Sequence, residues 1–202
     1  MFTGIIEAVG TLDAITQRDD GARIKVNTAN LDLTDVKIGD SIAVNGVCLT
    51  IVVLGSKAFE ADLSAETLAR TTFGQRRVGD RLNLERSLTL AKSLGGHLVS
   101  GHVDGIAQVQ TSSTDGQSRV VTLQVPQMLS RYIAAKGSIC VDGVSLTVNV
   151  VEGNRFTVSL IPHTLDMTTL DALQASAAVN IEVDIIARYL ERLLTASNAS
   201  DA

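Results

Sequence analysis

Two small polar pairs stand on strand-like stretches. Cys48 and Thr50 lie between Val47, Leu49 and Ile51, and Ser145 and Thr147 lie between Val144, Leu146 and Val148. A period of two puts the aliphatic side chains on one face and the polar ones on the other. A thiol or hydroxyl displayed in this way can deliver or orient a nucleophile, water included. Imidazole can take and give a proton near neutrality. Four glycines and two histidines, His97 and His102, fall within the eleven residues from Gly95 to Gly105. That density of glycine implies close backbone approach at the edge of a site. His102 is the nearer of the two to a functional role, and His97 to a structural hydrogen bond. Five apart in a loop and without a third ligand, they do not read as a metal centre. No strand, loop and long helix surround the glycines, so they do not read as a phosphate loop either.

The polar pairs belong to a stretch written twice. Val44-Asn45-Gly46-Val47-Cys48-Leu49-Thr50 returns 97 positions later as Val141-Asp142-Gly143-Val144-Ser145-Leu146-Thr147. Each copy reads as strand, Asn-Gly or Asp-Gly turn, and strand, a strong hairpin signal. Around each copy the same programme recurs. The first half predicts strands over 4–12, 22–26, 58–63 and 81–86, a short helix over 30–34, and a helix over 65–70 capped by Ser64. In the second half residues 119–125 make a strand, Pro126 opens a short helix, 156–160 matches 59–63, 161–165 matches 64–68, and 180–183 matches 83–86. Two similar antiparallel barrels follow. Only the second half continues, from Asp184 to Leu194, with Ile185, Ile186, Tyr189, Leu190, Leu193 and Leu194 at helical spacing. That amphipathic stripe is buried either on its own domain or by self-association. Residues from Thr195 onward read as a frayed tail.

Composition narrows the classes of function. A hydrophobic fraction of 45% suffices for two aliphatic cores, and the aromatic share is 3% with no Trp. A net charge of −5 without a basic cluster argues against nucleic acid. No apolar run reaches the roughly 18 residues of a membrane span, and no signal peptide is legible. Cys48 and Cys140, inside apolar strands, read as reduced thiols of a cytoplasmic protein. Cys140 is expected to face the interior and be inert.

In order along the chain, Met1-Phe2-Thr3-Gly4-Ile5-Ile6, the first hairpin stretch, Gly96-His97-Leu98-Val99-Ser100-Gly101-His102-Val103-Asp104-Gly105 and the second hairpin stretch together resemble the α-type riboflavin synthases over residues 1–194. The resemblance implies an all-β chain of two tandem six-stranded antiparallel Greek-key barrels, 1–97 and 98–184, followed by a C-terminal amphipathic helix and tail over 185–202. It implies a homotrimer joined through those helices, association with lumazine synthase, and a site between the N-terminal barrel of one subunit and the C-terminal barrel of its neighbour. It implies the conversion of two molecules of 6,7-dimethyl-8-ribityllumazine into riboflavin and 5-amino-6-ribitylamino-uracil by transfer of a four-carbon unit, with no metal and no cofactor.

The family's ligand contacts carry over to Gly4, Ile5, Ile6, Cys48, Leu49 and Thr50, and to Asp62, Leu63, Ser64, Ala65, Glu66 and Thr67. They continue with Gly101, His102, Val103 and Lys136, then Ser145, Leu146 and Thr147, and finally Leu160, Ile161, Pro162, His163, Thr164 and Leu165. For the chemistry, His102 is expected to handle protons, and Cys48, Ser145 and Thr147 to deliver or orient the nucleophile. Asp184 would polarise Ser145 or fix the ribityl tail, and Phe2 would seal the pocket. Simpler roles stand beside these: Cys48 as core, His163 as a cap, Lys136 as a solvated charge, Asn45 and Asp142 as turn formers. Two rivals remain, a lumazine-binding antenna protein without turnover and a protein-interaction module.

Overall fold

The computed structural model describes the backbone of residues 1–200 and the side chains of residues 1–196. Asn45 and Gly46 take φ of 46° and 77°, and Asp142 and Gly143 take 44° and 83°. These are paired left-handed values, which match a two-residue turn to the twist of its strands. The turns close two hairpins, β3 (Ser41–Val44) with β4 (Val47–Leu54) and β9 (Ser138–Val141) with β10 (Val144–Glu152). Their register sets Cys48 opposite Ala43 and Ser145 opposite Cys140.

The first hairpin sits in a closed barrel with β1 (Ala8–Arg18), β2 (Gly21–Asn27), β5 (Ala58–Ser64) and β6 (Arg81–Arg86), in the order β1-β2-β5-β4-β3-β6. The second barrel repeats that order with β7 (Gly105–Asp115), β8 (Ser118–Gln124), β11 (Arg155–Leu160), β10, β9 and β12 (Ala178–Val183). Every pairing is antiparallel, and the β2–β5 neighbourhood, which skips two strands, is the Greek-key step. Bulges recur at matching places, Leu12/Ala14 in β1 and Val109/Thr111 in β7. Each sharpens the twist of a long strand that serves two neighbours. Leu12, Ile24, Ile51, Phe59 and Leu82 fill one core, and Leu123, Val148, Phe156, Leu160 and Ile181 the other.

α1 (Ala65–Arg70) starts at Ser64, whose hydroxyl accepts from the Thr67 amide, and α2 (Pro162–Met167) starts at Ile161 with Pro162 in its first turn. α3 (Ile185–Ser200) follows β12. The tail expected to fray from Thr195 is helical as far as Ser200, and Asp201 and Ala202 lie outside the described residues.

Two local expectations are corrected. No helix forms over 30–34. The Asp32 carboxylate accepts from the amide and the hydroxyl of Thr34, and this local turn competes with a helix. The first strand begins at Ala8 rather than Gly4. The amides of Thr3 and Gly4 are drawn instead to the buried Glu85 carboxylate, and Phe2 makes an isolated bridge to Val99.

A pseudo-twofold interface joins the barrels. The Asn83 amide donates to the Asp142 carbonyl at 2.8 Å, and the Asn180 amide to the Asn45 carbonyl at 2.9 Å. Thr72 N–H donates to Asn180 Oδ1 and Thr169 N–H to Asn83 Oδ1, both at 2.8 Å. Phe2, Ala43, Val99 and Cys140 form a small apolar cluster of their own, with Cys48 partly buried against it. Cys140 is buried as expected, and burial pushes its thiol well up.

One member of this interface departs from symmetry. Asp142 stands where Asn45 stands in the first half, with Arg76 Nη2 3.5 Å from its Oδ2. Burial pushes its carboxyl up to about 6, against the pull of Arg76 and the Asn180 amide. The folded state therefore holds a proton that the unfolded chain releases near 3.8, so this group's contribution to stability falls as pH rises from about 4 to about 6. About two pK units correspond to about 3 kcal/mol. The double substitution Asp142→Asn with Arg76→Leu copies the residues at the repeat-related positions, Asn45 in the first half and Leu173 in the second. It should flatten that slope, read as the urea midpoint between pH 4 and 7; an unchanged slope would assign it to other groups.

α3 is tied down by charge rather than by its stripe. Arg188 pairs with Asp104, Glu191 with Tyr132, and Arg131 Nη1 lies 2.8 Å from Glu191 Oε1. Ile186, Tyr189 and Leu190 are 66%, 67% and 56% exposed, so the chain's own barrel does not cover that face.

Candidate active sites at the barrel boundary

Each half of the chain lends a loop to the other half's hairpin. Gly4 carbonyl accepts from the Ser145 amide at 2.8 Å, and Gly101 carbonyl accepts from the Cys48 amide at the same distance. Both contacts need glycine: a Cβ on either residue would stand 2.6 Å from the Cβ of Ser145 or Cys48. Two residues further on, Ile6 packs against the second core and Val103 against the first. The segments 4–6 and 145–147 thus come together, as do 101–103 and 48–50, and neither set is completed by one half alone.

The loops are clamped by two buried carboxylates. Glu85 accepts from Thr3 N–H (2.8 Å), Thr3 Oγ1–H (2.6 Å) and Gly4 N–H (2.9 Å). Glu182 accepts from Ser100 N–H (2.6 Å), Ser100 Oγ–H (2.7 Å) and Gly101 N–H (2.9 Å). Burial pushes the Glu182 carboxyl up, with its three donors opposing. The matching of Asn180-Ile181-Glu182 to Asn83-Leu84-Glu85 was the only sign of this in the sequence.

Around the first hairpin, Cys48 is half-buried beside Gly101 and Phe2, Thr50 is exposed on the same face, and Leu49 points into the core. His102 is exposed, its backbone amide 3.3 Å from Ser100 Oγ. Asp62 makes a two-point ion pair with Arg23 at 2.7 Å, which holds its carboxyl below the usual range. Glu66 pairs with Arg70, and Ser64 and Thr67 hydrogen-bond each other. Ala65 opens α1, and Leu63 is a core residue.

Around the second hairpin the polar equipment differs. His97 Nδ1 lies 2.7 Å from Ser145 Oγ. Burial pulls the imidazole down from its ordinary value, while the charges of Asp184 and Glu85 act in the other direction. Its Nε2 is buried without a partner among the described residues. A neutral ring with its proton on Nε2 presents Nδ1 as acceptor for the Ser145 hydroxyl. Asp184 caps α3 through the Ile186 amide, and its charge acts on His97. Leu146 and Leu160 are core, Leu165 packs against it, and Thr147, Ile161, Pro162 and His163 are exposed, with Thr164 half-buried. Ile5 stands where the other site has His102, so the histidines fall at unlike places, His102 beside the first hairpin, His97 against the second and His163 in the first turn of α2. Sequence reasoning gave His97 only a structural hydrogen bond; its contact with Ser145 spans 48 residues and leaves no local sign. Phe2 is fully buried between the barrels. Lys136 lies in the turn before β9, and its amide donates to the Val148 carbonyl of β10 at 2.8 Å, one residue beyond Thr147. It holds φ of 68° where its first-half counterpart is Gly39, a strained placement for a lysine.

The chain matches the lumazine binding domain family twice, over residues 3–87 and 100–184. It is 50% identical over 201 residues to a riboflavin synthase of Photobacterium phosphoreum, covering all of this chain and 92% of that one. To a riboflavin synthase of Mycobacterium bovis it is 44% identical over 198 residues, covering 96% and 98%. A solved structure of LumP complexed with riboflavin superposes with a TM-score of 0.82 at 27% identity, covering 91% of this chain and 99% of that one. By its twin lumazine-binding halves and its full-length likeness to these enzymes, the chain belongs to the riboflavin synthase family.

Proposed function

We propose that this enzyme joins two molecules of 6,7-dimethyl-8-ribityllumazine, one at each hairpin site, giving riboflavin and 5-amino-6-ribitylamino-uracil. The observation that carries this is the exchange of loops. It builds two sites of like backbone and unlike side chains: Cys48 with His102 in one, Ser145 with His97 in the other. A dismutation needs that combination, because identical guests must be recognised alike and then treated differently. Strand and loop amides along 4–6, 48–50, 101–103 and 145–147 offer the donors and acceptors that a pyrimidinedione edge requires. Residues 62–67, 160–165 and Lys136 would receive the ribityl tails. Holding two rings face to face contributes roughly 7–11 kcal/mol of barrier reduction. Proton removal from the donor's methyl at ring carbon 7 falls to a histidine, and Cys48 or Ser145 orients the nucleophile.

The same reading has domains 1–97 and 98–184 with a helix and tail over 185–202, in a cytoplasmic homotrimer. The exposed Ile186, Tyr189 and Leu190 support assembly through α3, and association with lumazine synthase rests on the family resemblance. The purified protein mixed with 6,7-dimethyl-8-ribityllumazine alone should develop flavin absorbance. Cys48→Ala and His102→Ala should each slow that reaction well before they weaken ligand binding. Binding without flavin would favour an antenna protein, the alternative that LumP represents, and parental rates in both variants would reassign the two residues.

A further inference from the structure

We propose that Glu85 and Glu182 are positioning residues, each setting the loop that completes the site on the opposite barrel. This rests on the two sites described above and adds to them the groups that fix their geometry. Both carboxylates are buried, 1% and 4% exposed, near the ends of β6 and β12. Each takes two successive backbone amides and one hydroxyl, the arrangement in which an ionised carboxylate makes its strongest hydrogen bonds. A glutamine would offer one acceptor oxygen and turn an NH2 toward donors. An apolar residue of that size would cost less to bury than a charge, so what the carboxylate adds is the position of the loop.

The consequence is carried by the next peptide along. The residue whose amide is clamped, Gly4 or Gly101, uses its own carbonyl to accept from Ser145 or Cys48 across the boundary. Each glutamate therefore sits on one barrel and acts at the other. The clamps also differ, since Lys92 Nζ lies 3.1 Å from Glu85 Oε1 whereas among the described residues no cation pairs with Glu182. The two sites can thus be disturbed one at a time.

Cys48 supplies a probe that requires no lumazine. The Gly101 loop lies directly on it, and Cys140 is buried, so iodoacetamide labelling of the native protein reports release of that loop. Glu182→Gln should raise the Cys48 labelling rate by about tenfold, the factor worth one charged hydrogen bond. Glu85→Gln, whose loop lies on Ser145, should change it by less than about twofold. Ser100→Ala keeps the carboxylate with its two backbone donors and removes only the hydroxyl, with its bond to Glu182 and the long one it accepts from the His102 amide, and should give an intermediate rise of about threefold; it decides the matter if Glu182→Gln does not fold. In turnover assays both glutamine variants should lose kcat by more than their thermal midpoints would explain. Parental labelling in folded Glu182→Gln or Ser100→Ala, or an equal rise in Glu85→Gln and Glu182→Gln, overturns the proposal. Absence of flavin formation by the parent protein would instead strike the proposed function, while the labelling result stands by itself.

Discussion

His97→Ala should lower turnover by about 10²–10⁴-fold, the range that a positioned proton-transfer group supplies, and leave ligand affinity at the Cys48 site at its parental value. The imidazole is buried, burial keeps it neutral at pH 7, and its Nδ1 is 2.7 Å from Ser145 Oγ. Removing it takes away the side-chain acceptor that lies within hydrogen-bond distance of the Ser145 hydroxyl. Orientation and proton transfer separate in His97→Gln, which can keep a hydrogen bond to Ser145 but cannot relay a proton. If Gln is as slow as Ala, the ring moves a proton; if Gln restores the rate, the ring only orients Ser145. The pH profile gives a second reading. A histidine whose folded value lies below the ordinary 6.5 stays a base into mildly acidic solution, so the acid limb of kcat/KM should fall below 6.5 in the parent and vanish in His97→Gln. An acid limb that persists unchanged in the variant would belong to another group.

What the sequence made legible and what it hid divide along sequence separation. Both hairpins could be read because an Asn-Gly or Asp-Gly turn and a period of two are local, and the barrels followed from finding them twice. The Ser64 cap was legible for the same reason. Contacts that depend on the closed fold were not. The N-terminal residues read as the start of β1 because Ile5 and Ile6 look like strand. The sink that takes the Thr3 and Gly4 amides is Glu85, more than 80 positions away. Asp62 and Glu66 looked free to hold a sugar tail, and the structure engages both with arginines. His97 is separated from Ser145 by three strands, β7, β8 and β9, and only the closing of the second barrel joins them. Duplication told how many sites to expect and which residues to compare. It could not tell that each site borrows a loop from the other half.

That borrowing makes the barrel boundary a condition of function, and Gly46 and Gly143 test it. Their turns meet at the pseudo-twofold axis, where a Cβ on Gly46 would stand 2.8 Å from Gly143 N and one on Gly143 2.8 Å from Gly46 N. Both obstacles are backbone and cannot swing aside. Gly79 separates this clash from the cost of the left-handed conformation, since it has φ of 96° with nothing within 4 Å of an added Cβ. Gly79→Ala should therefore cost about 1–2 kcal/mol. Gly46→Ala or Gly143→Ala should cost about 2–5 kcal/mol, the same conformational term plus overpacking, read from urea unfolding. The functional signature is sharper than the stability loss. Separating the barrels withdraws Gly101 from Cys48 and Gly4 from Ser145 together, so ligand affinity should fall at both sites in variants that remain folded. If Gly46→Ala is no worse than Gly79→Ala, or if it spares one site, the barrels are not held in register by this contact and the two sites do not depend on their apposition.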